Sequence, residues 1–335
     1  MKRSKAAWAV VTAAVLMAGT ACGGSDDDGS SDASGATTGG ADGGLTTLTM
    51  AETPGSPFAF VSYGVERGHF KDEGIDLQPR VNPGGGTSTV PALLQGDMDV
   101  LGLDLVSALT SVGADLPLKF VAAGSATSED AEGDFAAVLV RADSPIQGPE
   151  DLDGVRMGVN ALRNVNELYI RSTLEELGKP QDAISPVELP FPDILAAVAR
   201  GDVDAGVVIE PFATIGQNQG LRVVDRPWVN IQPGLQIGVM TMTDETVARV
   251  GEDVVAAFGR AVQATAEDIQ QDPEAFRAAM PQLIENFAPE LAASVNLIQW
   301  RGQNDRESIE TTGEMMTEYG LLEADIDYDE LILDD

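Results

Sequence analysis

Two acids stand at matching places in the chain. Asp104 closes the run GDMDVLGLD (96–104) and Glu210 closes GDVDAGVVIE (201–210), each a Gly-Asp-x-Asp opening followed by a short apolar run. A carboxylate at the end of an apolar strand accepts hydrogen bonds, so this pair suits a ligand carrying N–H donors. Other residues suit the opposite charge. Arg163 stands with Asn160 and Asn164 between a strand end and a helix start, where a guanidinium can clamp a carboxylate or sulfonate through two parallel bonds. The run Gly84-Gly85-Gly86-Thr87-Ser88 precedes a helical pattern, and its N–H groups with the two hydroxyls suit an anionic or polar group. It lacks the Gly-Lys-Ser/Thr ending of a nucleotide-binding loop. Ser56 and Phe58, after the first strand, offer a hydroxyl and a flat apolar wall, and Ser125 and Thr127 follow the strand LKFVAAG. Phe58 equally suits a core, Arg163 a surface ion pair, and helix–Gly–Asp–strand is common grammar in α/β proteins. The ligand's charge therefore stays open at this level, and a small polar organic molecule is what these residues together describe.

Catalysis is poorly served. The only histidine is His69 and the only cysteine is Cys22, so no Ser/His/Asp set can be assembled and no disulfide forms within the chain. The paired aspartates lack the spacing of a calcium loop and its closing glutamate. No cofactor and no metal site are expected.

The elements that would position these residues follow from periodicity. Strand patterns run over 46–51, 75–81, 99–103, 118–124, 136–141, 155–159, 186–190, 204–209 and 221–225, and helical patterns over 88–95, 165–178 and 193–200. Such alternation argues for α/β architecture with largely parallel sheets. Beyond about Thr243 the pattern turns helical, broken at Pro273, Pro281 and Pro289, as in a tail packed back on earlier elements. In each repeated phrase a helix closes at a glycine, Gly96 or Gly201, and the aspartates turn the chain into a strand. Ligands bind outside the carboxyl ends of strands in open α/β sheets, so two like units imply two lobes facing across a cleft.

The chain opens on MKRSKAAWAVVTAAVLMAGTAC, a basic head and an apolar run too short for a stable membrane span, read as a secretion signal over 1–21. Cys22 follows Gly-Thr-Ala and resembles the lipidated cysteine of a bacterial lipobox, with Gly19 where leucine is usual. Residues 22–44, rich in Gly, Ser and Asp with no large apolar side chain to bury, read as a flexible tether. A formal charge of −34 argues against nucleic-acid partners and against attraction to an anionic membrane.

The wider text is familiar. PGSPFAFVSYGVERGHFKDEGIDLQ (54–78), GGGTSTVPALLQGDMDVLGLDLVSAL (84–109), AAVLVRADSPIQGPEDLDGVRMGV (136–159) and PDILAAVARGDVDAGVVIEPF (192–212) together resemble the NMT1/THI5-like and sulfonate/nitrate/taurine substrate-binding proteins of ABC importers. The resemblance implies the type 2 periplasmic-binding fold: two α/β lobes with a hinge and a C-terminal helical tail on lobe one. Lobe one would hold 45–137 and 239–335, and lobe two 138–238. It implies a monomeric, lipid-anchored, extracytoplasmic protein that hands a small molecule, such as a sulfonate, carboxylate or pyrimidine-type nutrient, to an ABC permease and its ATPase subunit. Glu210-Pro211 resembles an acid-Pro pair that the family carries with different ligands. Two other readings of the same fold are a sensor lipoprotein without transport and a pyrimidine-precursor-forming enzyme. The latter consumes its own histidine and uses a cysteine-rich motif, which is lacking here.

Overall fold

Every strand segment read from the pattern forms a strand in the computed structural model, which describes residues 44–333 apart from 83 and 181. The signal segment, Cys22 and the tether up to residue 43 lie outside the described residues. In chain order the strands are β1 (Thr46–Glu52), β2 (Ile75–Val81), β3 (Val100–Asp104), β4 (Leu118–Ala123), β5 (Ser125–Ala126) and β6 (Ala136–Arg141). They continue with β7 (Arg156–Val159), β8 (Ser185–Glu188), β9 (Ala205–Ile209), β10 (Leu221–Asp225), β11 (Gly238–Thr243) and β12 (Gln299–Trp300).

Two five-stranded sheets result, in the orders β2-β1-β3-β11-β4 and β8-β7-β9-β6-β10, and β12 pairs with β5 in a small ribbon. The expectation of largely parallel sheets is corrected. Both are mixed, because β11 runs antiparallel to β3 and β4, and β6 antiparallel to β9 and β10. Each of these reversed strands enters its sheet on arriving from the other one, so it meets its neighbours head-on. The remaining pairs, β1 with β2 and β3, and β7 with β8 and β9, are parallel.

The two Gly-Asp-x-Asp phrases lead into the third strand of each sheet. Gly96 and Gly201 take φ of 75° and 77°, and the following Asp97 and Asp202 N–H groups donate to Ala92 O and Ala197 O, closing each helix. The second aspartate then ties its strand to the neighbour. Asp99 Oδ2 accepts from Thr49 N at 2.7 Å, and Asp204 Oδ2 accepts from Arg156 N at 2.9 Å. β3 and β9 are near-continuous apolar runs because helices cover both of their faces.

The helical tail packs on the first sheet. The helix Glu252–Gln271 lies against Ser56–Arg67, His69–Asp72 and β4, and Arg306–Glu318 lies against Leu105–Gly113. Here the lone histidine finds its place: His69 Nε2 lies 2.8 Å from Asp268 Oδ2, which Arg67 Nε also reaches at 2.8 Å. His69 thus helps seat one helix on another. Between these helices the turn Pro289–Ser294 touches Phe212–Asn218 of the second sheet's layer, and the chain then runs on to β12.

Candidate functional site

The carboxyl ends of β1, β3 and β4 and those of β7 and β9 frame a cavity of about 60 Å³ between the two sheets. By water-sized measure that is room for about four molecules. Its aromatic wall is Phe135, Phe191, Trp228 and Trp300, and its polar groups include Glu52, Asn82, Asp104, Ser125, Asn160 and Asn164. The rings are held from behind or from the side. Trp300 stacks on Phe60 with centroids 4.1 Å apart, Phe191 stacks on Phe212 at 5.2 Å, and Phe135 meets Trp228 edge-on at 5.1 Å. Trp228 Nε1 donates to Asn166 Oδ1, whereas the buried Trp300 Nε1 has no partner among the described residues.

Glu52, the last residue of β1, is the group that spacing failed to single out. Its side chain is folded inward over β3, where Gly102 has no side chain; a Cβ there would collide with Glu52 Oε2. Thr53 N donates to Glu52 Oε1 at 2.6 Å. Burial pushes its carboxyl from the ordinary 4.5 to about 7, against the lowering effect of the Thr53 hydrogen bonds. The readable signal was Gly102 itself, since a glycine inside a strand often marks a close approach from outside it.

Asp104 also reaches the cavity wall, but most of its hydrogen-bonding capacity is spent. It caps the helix Leu105–Gly113 by accepting from Ser107 N at 3.0 Å and Ser107 Oγ at 2.7 Å. Its Oδ1 also accepts from Val165 N at 3.0 Å, at the start of the helix Val165–Glu176 on the opposite sheet. Burial raises its pKa, and those three donors lower it. One carboxylate thus caps two helix starts and bridges the cleft.

Of the other residues singled out by sequence, Gly86, Ser125, Asn160 and Asn164 line the cavity. Asn160 Oδ1 accepts from Asn164 Nδ2 and Asn166 Nδ2 at 3.1 and 2.9 Å, fixing the strand-to-helix turn. Ser56, Phe58, Thr87, Ser88, Thr127, Arg163 and Glu210 stand outside the lining. Thr127 Oγ1 donates to Gln232 O, Ser88 Oγ donates to Gly85 O, and Arg163 is exposed. The glycine run is a seam: added Cβ atoms at Gly85 and Gly86 would press on Asn160 and Ala161 of the opposite lobe.

Glu210 turns away from the cavity. Its carboxylate accepts from Thr214 N at 3.0 Å, Thr214 Oγ1 at 3.1 Å and Asn296 N at 3.3 Å. Burial raises its pKa, and the same bonds lower it. Glu210 therefore clasps the returning tail to the second lobe. Its carbonyl accepts from Ser56 N, a further bridge between lobes.

A two-lobed α/β protein with a site at opposed strand ends is the class this geometry defines. The chain belongs to the NMT1/THI5-like family, whose model matches residues 56–276. Solved structures agree. The alkanesulfonate-binding protein SsuA of Xanthomonas axonopodis pv. citri, bound to MOPS, matches with a TM-score of 0.71 at 15% identity, covering 86% of this chain and 98% of its own. The ligand-binding component of an ABC-type import system from Staphylococcus aureus, solved with zinc bound, matches at 0.72 and 13%, covering 86% and 96%. The aliphatic sulphonate binding protein SsuA of Escherichia coli matches at 0.65 and 18%, covering 86% and 97%. At such identities the likeness is one of fold, the periplasmic-binding-protein fold with its tail on the first lobe. A comparison with curated proteins finds no match.

Proposed function

We propose that this chain is the extracytoplasmic solute-binding component of an ABC importer, tethered through a lipid on Cys22, and that it binds its solute without transforming it. Lobe one would comprise 45–137 with 239–335 and lobe two 138–238, closing about crossings near 135–137 and 237–239. The observation that carries this reading is the aromatic-walled cavity at opposed strand ends, bridged by Asp104 to Val165 N and by Glu210 O to Ser56 N. Hinge closure over a small molecule fits that arrangement. The similar proteins from Xanthomonas, Staphylococcus and Escherichia, named above as binding proteins, support it. A permease and its ATPase subunit would receive the solute from a monomer.

The test is a thermal-shift screen of the purified protein with small organic solutes. A ligand present at about 100 times its Kd adds about 2.7 kcal/mol to the unfolding free energy and raises the melting temperature accordingly. A melting temperature unmoved by every solute would overturn the binding role.

A further inference from the structure

We infer that the ligand is a small organic cation of the amine or amidine class whose N–H groups donate to Glu52, and that anions such as sulfonates are refused. The inference rests on the solute-binding reading above and narrows it.

Among the described residues lining the cavity, the ionisable side chains are Glu52 and Asp104, both acids. No lysine, arginine or histidine faces the space among those residues. Arg163 is exposed and outside the wall. Arg226 gives its Nη1 to Asp134 O at 2.8 Å and Ala136 O at 3.2 Å. A sulfonate in this cavity would meet two carboxyl groups and no counter-charge.

Helix N-termini are the usual substitute for a cation, and α-helices begin at or beside the wall at Ser56, Leu105, Val165 and Phe191. At the first three of these, most leading N–H groups are already committed. Ser56 donates to Glu210 O, Phe58 to Thr53 O, Leu105 to Ile237 O, Ser107 and Val165 to Asp104, and Asn166 to Asn164. At those three helix starts an anion would have to displace acceptors the chain supplies for itself.

A cation gains on both counts. Four aromatic residues line the space, and aromatic ring faces attract positive charge, most strongly where water is excluded. Asp104 already holds three donors, which leaves Glu52 as the acid with capacity to accept from a ligand. Its carboxyl titrates near 7, so capture of a cation drives off its proton and affinity rises from pH 6 to pH 8. The acids within reach of this change are Asp104 on the wall, with Glu210 and Asp134 one residue beyond the lining residues Ile209 and Phe135. Arg226 interacts with both of those outer acids.

The test uses three benzene derivatives of matched shape, titrated calorimetrically into the purified protein: benzamidine, benzamide and benzenesulfonate. Acetamidine and methanesulfonate serve as a smaller pair. Within at least one set the cation is expected to bind roughly ten-fold or more tightly than the neutral or anionic member, with affinity rising between pH 6 and pH 8. Glu52→Gln should lose about that factor for the cation only. Benzenesulfonate or methanesulfonate binding as tightly as its cationic counterpart would overturn the inference and leave the solute-binding role standing. Preference for benzamide, or a Glu52→Gln variant with wild-type affinity, would likewise overturn it. Should none of the five bind the wild type, the inference falls, and the thermal-shift screen decides separately whether the binding role falls with it.

Discussion

Glu52 is worth more to the folded chain protonated than ionised. Unfolded, it titrates near 4.5; folded, burial moves it to about 7, so the folded state holds the extra proton between those values. Unfolding free energy must then decline as pH rises through that window, being fully retained below 4.5 and lost above 7. The difference corresponds to roughly 3 kcal/mol. Asp134, pushed by burial to about 6, and Asp104 and Glu210, both raised by burial, slope the same way. Urea unfolding at pH 5 and pH 8 should show the wild type losing stability on the alkaline side. Glu52→Gln should lose roughly 3 kcal/mol less, and equal losses in the two proteins would mean that Glu52 ionises without penalty.

Strand β3 is the element on which the site turns, because it lacks a side chain where β1 needs room. Replacing Gly102 by alanine would place a methyl group against Glu52 Oε2. The strain should cost about 1–3 kcal/mol in denaturant unfolding, and the displaced carboxyl should abolish ligand affinity in calorimetry. Wild-type values for both would show that the cleft does not depend on that fit. The architecture was largely legible at this scale: apolar runs with period two and 3.6 located nine strands, and the glycine–aspartate turns were read correctly as scaffold. Strand β11 escaped notice because GVMTMT carries no turn signal and earns its place only by inserting between β3 and β4. The site was less legible. Asp104, Asn160 and Asn164 stand where strand-end reasoning put them, but Glu52 and Trp300 depend on neighbours far along the chain. Glu210 shows the converse, an acid at the expected strand end whose bonds go to Thr214 and Asn296.

For the whole molecule, the shared strand order explains why one phrase is written twice: each copy builds the third strand of its own sheet, and the two sheets face each other across the cavity. The described domain carries no element that would hold it to a bilayer by a helix long and apolar enough to cross one. If the proposed lipid on Cys22 anchors the protein, Cys22→Ala should move it from the membrane to the soluble fraction on centrifugation, and a variant that sediments with membranes as before would rule out the lipid anchor. The returning tail has a consequence of its own. Within a few residues it is bonded to the second lobe at Asn296 and then supplies Trp300 to the cavity wall. The chain has three tryptophans; Trp8 falls in the proposed leader, outside the described residues, and the other two, Trp228 and Trp300, both face this one space. In a chain from which the proposed leader had been cut, all of the indole emission would originate at the walls of a single small volume, so its ultraviolet spectrum would be an unlabelled optical gauge of what that volume contains.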